Sequence, residues 1–147
     1  TALMENKALA TRMLGALVAV GVSIAVDDFG TGYSSLSYLK SFPLHCLKLD
    51  RTFVEKLETD ANDRVLASTI LALGHALGLR VTAEGVESDG QAAYLASQGC
   101  DEAQGYYFSR PLKPDQLKAL IQEHSRNGPP MSWHVSAFSD LVEAGSR

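Results

Sequence analysis

Asp27 and Asp28 are adjacent carboxylates at the end of an apolar run, Val22 to Val26. They open a loop that reads Phe29-Gly30-Thr31-Gly32-Tyr33-Ser34-Ser35-Leu36. A short apolar run ending in acids reads as a buried parallel strand with its chemistry at the carboxyl end. Two acids there offer hard oxygen donors to a divalent cation, magnesium or manganese. Gly30 and Gly32 let the loop bend and bring its backbone N–H groups to bear. An isolated acidic pair serves equally well as a helix cap or a buried salt bridge, so the rest of the chain has to decide.

Further polar residues fall inside or just after apolar runs. Lys48 lies between Leu47 and Leu49, a setting from which a lysine can also snorkel to the surface. Asp50 shares its side of that strand and is a partner for Lys48 or Arg51. Glu84 ends a third run, and Glu87 follows where an exposed acid at a helix N-terminus is favoured by the dipole. Gln104, near the end of a fourth run, suits contact with water or substrate, or a structural hydrogen bond. His45, His75, His124 and His134 share no ligand spacing and read as structural or solvent-facing. Cys46 and Cys100 form neither a disulfide framework nor a metal-spaced pair. Cys100 reads as a buried small side chain, since no activating partner is evident. Asp28-Phe29-Gly30 is similar to the magnesium loop of protein kinases, but no His-Arg-Asp catalytic loop accompanies it.

The polar residues belong to an ordered set of motifs. Asp27-Asp28-Phe29-Gly30-Thr31-Gly32-Tyr33-Ser34-Ser35-Leu36 is followed by Leu47-Lys48-Leu49-Asp50-Arg51-Thr52-Phe53-Val54 and by Ala83-Glu84-Gly85-Val86-Glu87. Gly99-Cys100-Asp101, Gln104-Gly105-Tyr106 and Ser109-Arg110-Pro111-Leu112 complete it. The set resembles the EAL-domain cyclic-di-GMP phosphodiesterases, from Thr1 to about Gln122. The resemblance implies that Asp27 bridges two divalent ions and Asp28 serves one of them. It makes Glu84 a metal ligand or the general base. It directs Lys48 into the site, where an ammonium holds the attacking water and stabilises phosphoryl charge. Thr31, Tyr33, Ser34 and Ser35 would order metal and substrate and help pair two domains. Glu87 would hold the glycine loop or a water network, and Gln104 would contact water or substrate. Two metals about 3.5–4 Å apart clamp the attacking and leaving oxygens of an in-line phosphodiester displacement. The implied reaction is hydrolysis of cyclic-di-GMP to linear pGpG.

Positioning those groups takes alternating elements. The sequence predicts a helix over Met4 to Val20, with Leu9, Met13, Leu17 and Val20 on one stripe. A strand follows at Val22 to Val26, then a short helical turn from Ser34 to Lys40 that stops before Pro43. A strand at Cys46 to Asp50 leads to a helix over Asn62 to Leu77, with Leu66, Ile70, Leu73 and Leu77 on one face. Arg80 to Ala83 is the third strand. Ser88 and Gln91 form a capping-box pattern that opens a helix to Ser97. Ala103 to Phe108 is the fourth strand, and Pro114 opens a helix to about His124. About four βα units with a parallel sheet result, which is α/β organisation. With the resemblance, this is the second half of a TIM-like (β/α)8 barrel, with its chemistry at the carboxyl ends of the strands. The family's Glu-Ala-Leu segment, an Asn-bearing strand and a Glu-bearing strand are absent, and no Met precedes Thr1, which fits a fragment. Residues 1–125 are the expected half domain, and residues 126–147 a tail or extra helix.

Composition narrows the partners. The 147 residues carry 13 basic and 17 acidic side chains, a net charge of −4, so no basic field argues for a nucleic-acid polymer or an anionic membrane. An acidic chain that binds an anionic dinucleotide calls for metal. Leu14 to Val26 is too short and too interrupted to span a bilayer. No signal peptide is evident. A cytoplasmic domain is expected, with any membrane tether in regions outside this chain. Two functional readings follow. One is part of a cyclic-di-GMP phosphodiesterase; the other is a catalytically inactive fragment that binds ligand or protein. Without the missing carboxylates the chain alone should be inactive or weak. A half barrel opens strand edges and an apolar inner face, so self-association through the half barrel or the glycine loop is expected.

Overall fold

Strand and helix alternate in the computed structural model, which describes residues 7–30 and 39–127. The elements are α1 (Lys7–Ala19), β1 (Ala25–Phe29), β2 (Cys46–Leu49), α2 (Arg51–Val54), α3 (Ala61–Ala76), β3 (Arg80–Ala83), α4 (Asp89–Ser97), β4 (Glu102–Ala103) and α5 (Pro114–Asn127). Thr31, Tyr33, Ser34, Ser35, most of the turn expected at Ser34 to Lys40, and nearly all of the 126–147 tail lie outside the described residues. The helix α5 runs to Asn127, two residues past the expected boundary at 125.

The sheet is four-stranded in the order β1-β2-β3-β4, with every neighbouring pair parallel. Cys46 lies opposite Arg80, Leu47 opposite Val81, Lys48 opposite Thr82, and Leu49 opposite Ala83. Strand residues alternate between faces, so this register sorts the side chains. Leu47, Leu49, Val81 and Ala83 are fully buried and join Val54, Leu57, Ala67, Leu71, Val86 and Leu95 in one core with α2, α3 and α4. Cys46, Lys48, Arg80, Thr82 and Glu102 take the opposite face. The expected apolar inner face is therefore corrected: that face is polar. Glu102 accepts from Arg80 Nη1 at 2.7 Å and from Thr82 Oγ1 at 2.8 Å, and Cys46 Sγ lies 3.2 Å from Thr82 Oγ1.

Four further expectations are corrected. The first strand begins at Ala25 and pairs through Phe29, later than Val22 to Val26. The second strand ends at Leu49, because Asp50 accepts from Thr52 N at 2.9 Å and caps α2. On α3 and its C-cap, Ile70, Leu73 and Leu77 pack on the core as expected, but Leu66 is exposed and Ala67, Leu71 and Gly74 complete the packed face. Small residues bring that helix close to the sheet, and a Cβ at Gly74 would overlap Val81 Cγ2. The fourth strand is only Glu102–Ala103. Beyond it the chain wraps round Val86: Gln104 O accepts from Val86 N, and Val86 O accepts from Tyr107 N, each at 3.0 Å. A Cβ at Gly105 would strike the Val86 backbone, so only glycine permits that close pass.

The third strand, the Ser88–Gln91 capping box and α4 stand where the sequence places them. The stripe of α1 is where it was expected, but Leu9, Met13, Leu17 and Val20 are all exposed and Ala10 alone is buried. Among the described residues no helix is long and apolar enough to cross a membrane.

Candidate metal centre

Two adjacent acids on a regular strand point to opposite faces. Between β1 and β2 the register breaks: Val26 lies opposite Leu47 and Phe29 opposite Leu49, so Asp27 and Asp28 together face Lys48. Two residues opposite one is a β-bulge, a device that re-aims side chains at a sheet edge. Asp28 takes the left-handed conformation, with φ 51°, which Asp tolerates better than most residues. The chain then returns Phe29 to the buried face.

The bulge brings both acids to Glu84. One carboxylate oxygen from each of Asp27, Asp28 and Glu84 lies within 4.8 Å of the others, and this is the one such group among the described residues. Glu84 is carried past the end of β3, with its backbone N–H donated to Leu49 O at 3.0 Å. Lys48 rises between the acids. Its Nζ donates to Asp27 Oδ1 at 2.9 Å and is paired with Glu84 Oε1. The bond to Glu84, then the bond to Asp27, hold its pKa well above the ordinary lysine range, so it stays cationic. Gln104 Nε2 donates to the same Glu84 oxygen at 3.0 Å. Glu84 Oε1 is thus held by two donors.

Three carboxylates against one ammonium leave two negative charges at the ends of the strands. Oxygen donors, net negative charge and partial exposure fit magnesium or manganese. The structure brings together Asp27, Asp28, Lys48, Glu84 and Gln104. It places Glu87 away from the cluster, paired with Arg51 at 2.9 Å. Asp50 is a cap, and bonds from the Thr52 hydroxyl and N–H hold its carboxyl below the ordinary range. Thr52 is its main partner, with the Arg51 N–H and the Asp28 side chain beside it, and Lys48 is not among them. His45 accepts from Ile24 N at 3.2 Å and His75 meets Asp101 at 2.9 Å, both structural roles.

Sequence reasoning missed an open recess beside the cluster. About 400 Å³ in volume, it is lined by Arg51, Glu87, Gln104, Tyr106, Ser109 and Arg110 among others. Arg110 lies over the Tyr106 ring, 4.8 Å from its centre. Two guanidinium groups and an aromatic ring within reach of Gln104 suit an anionic ligand with a flat base. The clustering of Gln104, Tyr106, Ser109 and Arg110 within seven residues was the available signal.

Comparison with known proteins places the chain in one family. The EAL domain family matches residues 1–111. The signalling protein YkoW of Bacillus subtilis is 45% identical over 120 residues, which is 82% of this chain and 15% of YkoW. MucR of Pseudomonas aeruginosa, a bifunctional diguanylate cyclase/cyclic di-GMP phosphodiesterase, is 47% identical over 109 residues, 74% of this chain and 16% of MucR. The structure of the MucR phosphodiesterase in complex with c-di-GMP superposes with a TM-score of 0.72 at 45% identity, covering 78% of this chain and 46% of that one. BlrP1 of Klebsiella pneumoniae, solved with manganese and cyclic-di-GMP, superposes with a TM-score of 0.62 at 36% identity, covering 68% of this chain and 26% of that one. The chain spans about a sixth of the curated relatives' length. With its match over residues 1–111, its parallel βα units and these relatives, the chain belongs to the EAL domain family.

Proposed function

We propose that the chain is the metal-binding half of a cyclic-di-GMP phosphodiesterase domain that yields linear pGpG. The observation that carries this reading is the convergence of Asp27, Asp28 and Glu84 within 4.8 Å at the carboxyl ends of parallel strands. Those three residues would hold magnesium or manganese. When bound, the metal supplies Lewis-acid stabilisation of the phosphoryl oxygens. Lys48 orients the water that attacks phosphorus and balances the charge that develops there. Gln104 fixes Glu84 through their 3.0 Å bond, which leaves the second oxygen of Glu84 to bind metal or take a proton. Arg51 and Arg110, in the adjoining recess, would meet phosphate, and Tyr106 a guanine face.

A second reading is a silent module that binds the dinucleotide or a protein partner. It is favoured by the size of the donor set. Three clustered carboxylates suit one ion, and a second ion needs donors beyond those described. We infer that the 147-residue chain alone turns over slowly and associates with itself. Residues 1–125 carry the half domain, and residues 126–147 stand outside it. The free thiols Cys46 and Cys100 fit a cytoplasmic protein.

The test is purified chain with cyclic-di-GMP and manganese or magnesium, products resolved by chromatography, with Asp27→Ala as control. Linear pGpG that vanishes in the control supports the enzyme. Dinucleotide binding by calorimetry without product supports the silent module. Neither product nor binding sinks both.

A further inference from the structure

We propose that Gln91 is a positioning residue whose buried amide locks α2 to the loop that follows β3. The lock sets the Arg51–Glu87 wall of the recess and tunes ligand affinity there without acting on the metal centre. This rests on the reading that the recess takes the anionic dinucleotide, and it names what holds that recess in shape.

The first argument is the amide itself. Glutamine is mostly an exposed residue, yet Gln91 is only 7% exposed. A capping box needs only its acceptor, and that half is present: Oε1 accepts from Ser88 N at 3.1 Å. The same oxygen also accepts from Glu87 N at 2.7 Å, and Nε2 donates to Glu55 O at 3.3 Å. Glu55 is the C-terminal cap of α2. The amide therefore joins two segments and does more than helix capping requires.

The second argument is what those segments carry. The first residue of α2 is Arg51, and its Nη2 meets Glu87 Oε1 at 2.9 Å. The Arg51 stem lies flat on Gly85, where an added Cβ would overlap the arginine side chain. Gly85 has φ 71°, which also favours glycine. Arg51, Gly85 and Glu87 all line the recess. So α2 and the loop meet at the recess through Arg51 and are tied behind it through Gln91. Attachments at both ends of so short a helix fix its orientation as well as its distance. The Arg51–Glu87 pair is about half exposed and holds weakly by itself. The buried amide is the stronger tie.

The third argument is that Glu84 is held by other groups. Its N–H is bonded to Leu49 O, and its carboxylate to Lys48 and Gln104. Between Glu84 and Glu87, Val86 is pinned by Gln104 O and Tyr107 N. Glu87 can shift while Glu84 stays.

The test uses the full chain and two variants. Gln91→Met keeps the length of the side chain and removes all three bonds. Gln91→Glu keeps both acceptor bonds at neutral pH and removes the donor to Glu55 O. Amide hydrogen exchange is followed without ligand. In Gln91→Met the Glu87 and Glu55 N–H groups should exchange about tenfold faster, with Glu84 N–H unchanged. In Gln91→Glu only Glu55 should speed up. Calorimetry then measures cyclic-di-GMP without metal, and manganese without dinucleotide. Affinity for cyclic-di-GMP should fall about tenfold in Gln91→Met and about threefold in Gln91→Glu, with manganese affinity unchanged in both. Gln91→Glu carries the test alone if Gln91→Met misfolds. Unchanged protection of Glu55 in the variants would leave Gln91 a helix cap and overturn the lock. Manganese affinity that falls in step with dinucleotide affinity overturns the separation from the metal centre. Faster exchange at Glu55 with unaltered cyclic-di-GMP affinity overturns the tuning. A wild-type chain that does not bind cyclic-di-GMP sinks the reading of the recess, and the exchange result still decides the lock.

Discussion

Leu47 and Lys48 are neighbours in the chain and opposites in the molecule. Leu47 is fully buried against the helices, and Lys48 stands among three carboxylates on the uncovered side. The same contrast runs across β3, where Val81 and Ala83 are buried while Arg80 and Thr82 join a polar ladder to Glu102. Residue parity therefore divides the labour. Burial on one face holds the fold, and the other face gathers the charged groups. The division fails at one place, the Asp27–Asp28 bulge, where two consecutive residues serve the same side. Two consecutive acids reach one side of the sheet only by a departure from strand periodicity.

The largest effect should come from the covered face. Leu47→Ala removes a fully buried side chain and should cost about 2–5 kcal/mol in urea denaturation. Manganese affinity of the protein that remains folded should not change. A smaller loss of stability coupled to weaker metal binding would show that the faces are not separate.

Cys100 tests the dryness of the same core by pH. Burial raises its thiol to about 11, from about 9 when unfolded. The unfolded chain then ionises first. Its stabilising effect is complete below pH 9 and is lost as pH rises through 11, by roughly 2–3 kcal/mol at about 1.4 kcal/mol per pH unit. Cys100→Ala should lack that slope, so wild type should lose this much more than the variant between pH 8 and pH 11. Equal slopes would remove Cys100 from the dry side.

Lys48→Met should behave in the opposite sense to Leu47→Ala. Stability should change by only about 1 kcal/mol, since the ion pairs are partly exposed. Manganese should bind about tenfold more tightly, because a competing positive charge leaves the side of three carboxylates. Turnover, where present, should fall. Weaker manganese binding on calorimetry would mean that Lys48 builds the site and does not compete for it.

Much of this division was legible in the sequence, and the exceptions have causes. The third strand and α4 were readable because a clean apolar run and a capping box act within a few residues. Asp27, Asp28, Lys48 and Glu84 were readable as a set through motif order. The bulge was not, although it left a mark: the buried-side residues Val26 and Phe29 are three apart where a regular strand needs two. The face of α3 was legible through Ile70, Leu73 and Leu77 but was placed one residue too wide at Leu66, and the small residues Ala67 and Gly74 that make the close contact gave no apolar signal. The fourth strand looked longer because aromatic residues after Gly105 suggest a strand, whereas the chain there curls round Val86. The polar inner face was hidden because half a barrel suggests an apolar core, yet Thr82 and Glu102 satisfy each other across it.

Ser88→Ala should have the smallest effect, and it asks whether the site depends on anything besides the sheet. Ser88 caps α4 by accepting from Gln91 N at 3.1 Å and donates to Glu58. Losing the cap should cost about 1 kcal/mol. The loop from Glu84 to Ser88 keeps a second tether, because Gln91 Oε1 accepts from Glu87 N at 2.7 Å and from Ser88 N at 3.1 Å. Glu84 itself is fixed from the sheet side by Leu49 O, Lys48 and Gln104. Manganese affinity should therefore be unchanged in Ser88→Ala. A drop in affinity would place part of the metal centre's rigidity in the helix behind it, and the two faces would then share a load that the sheet register assigns to one.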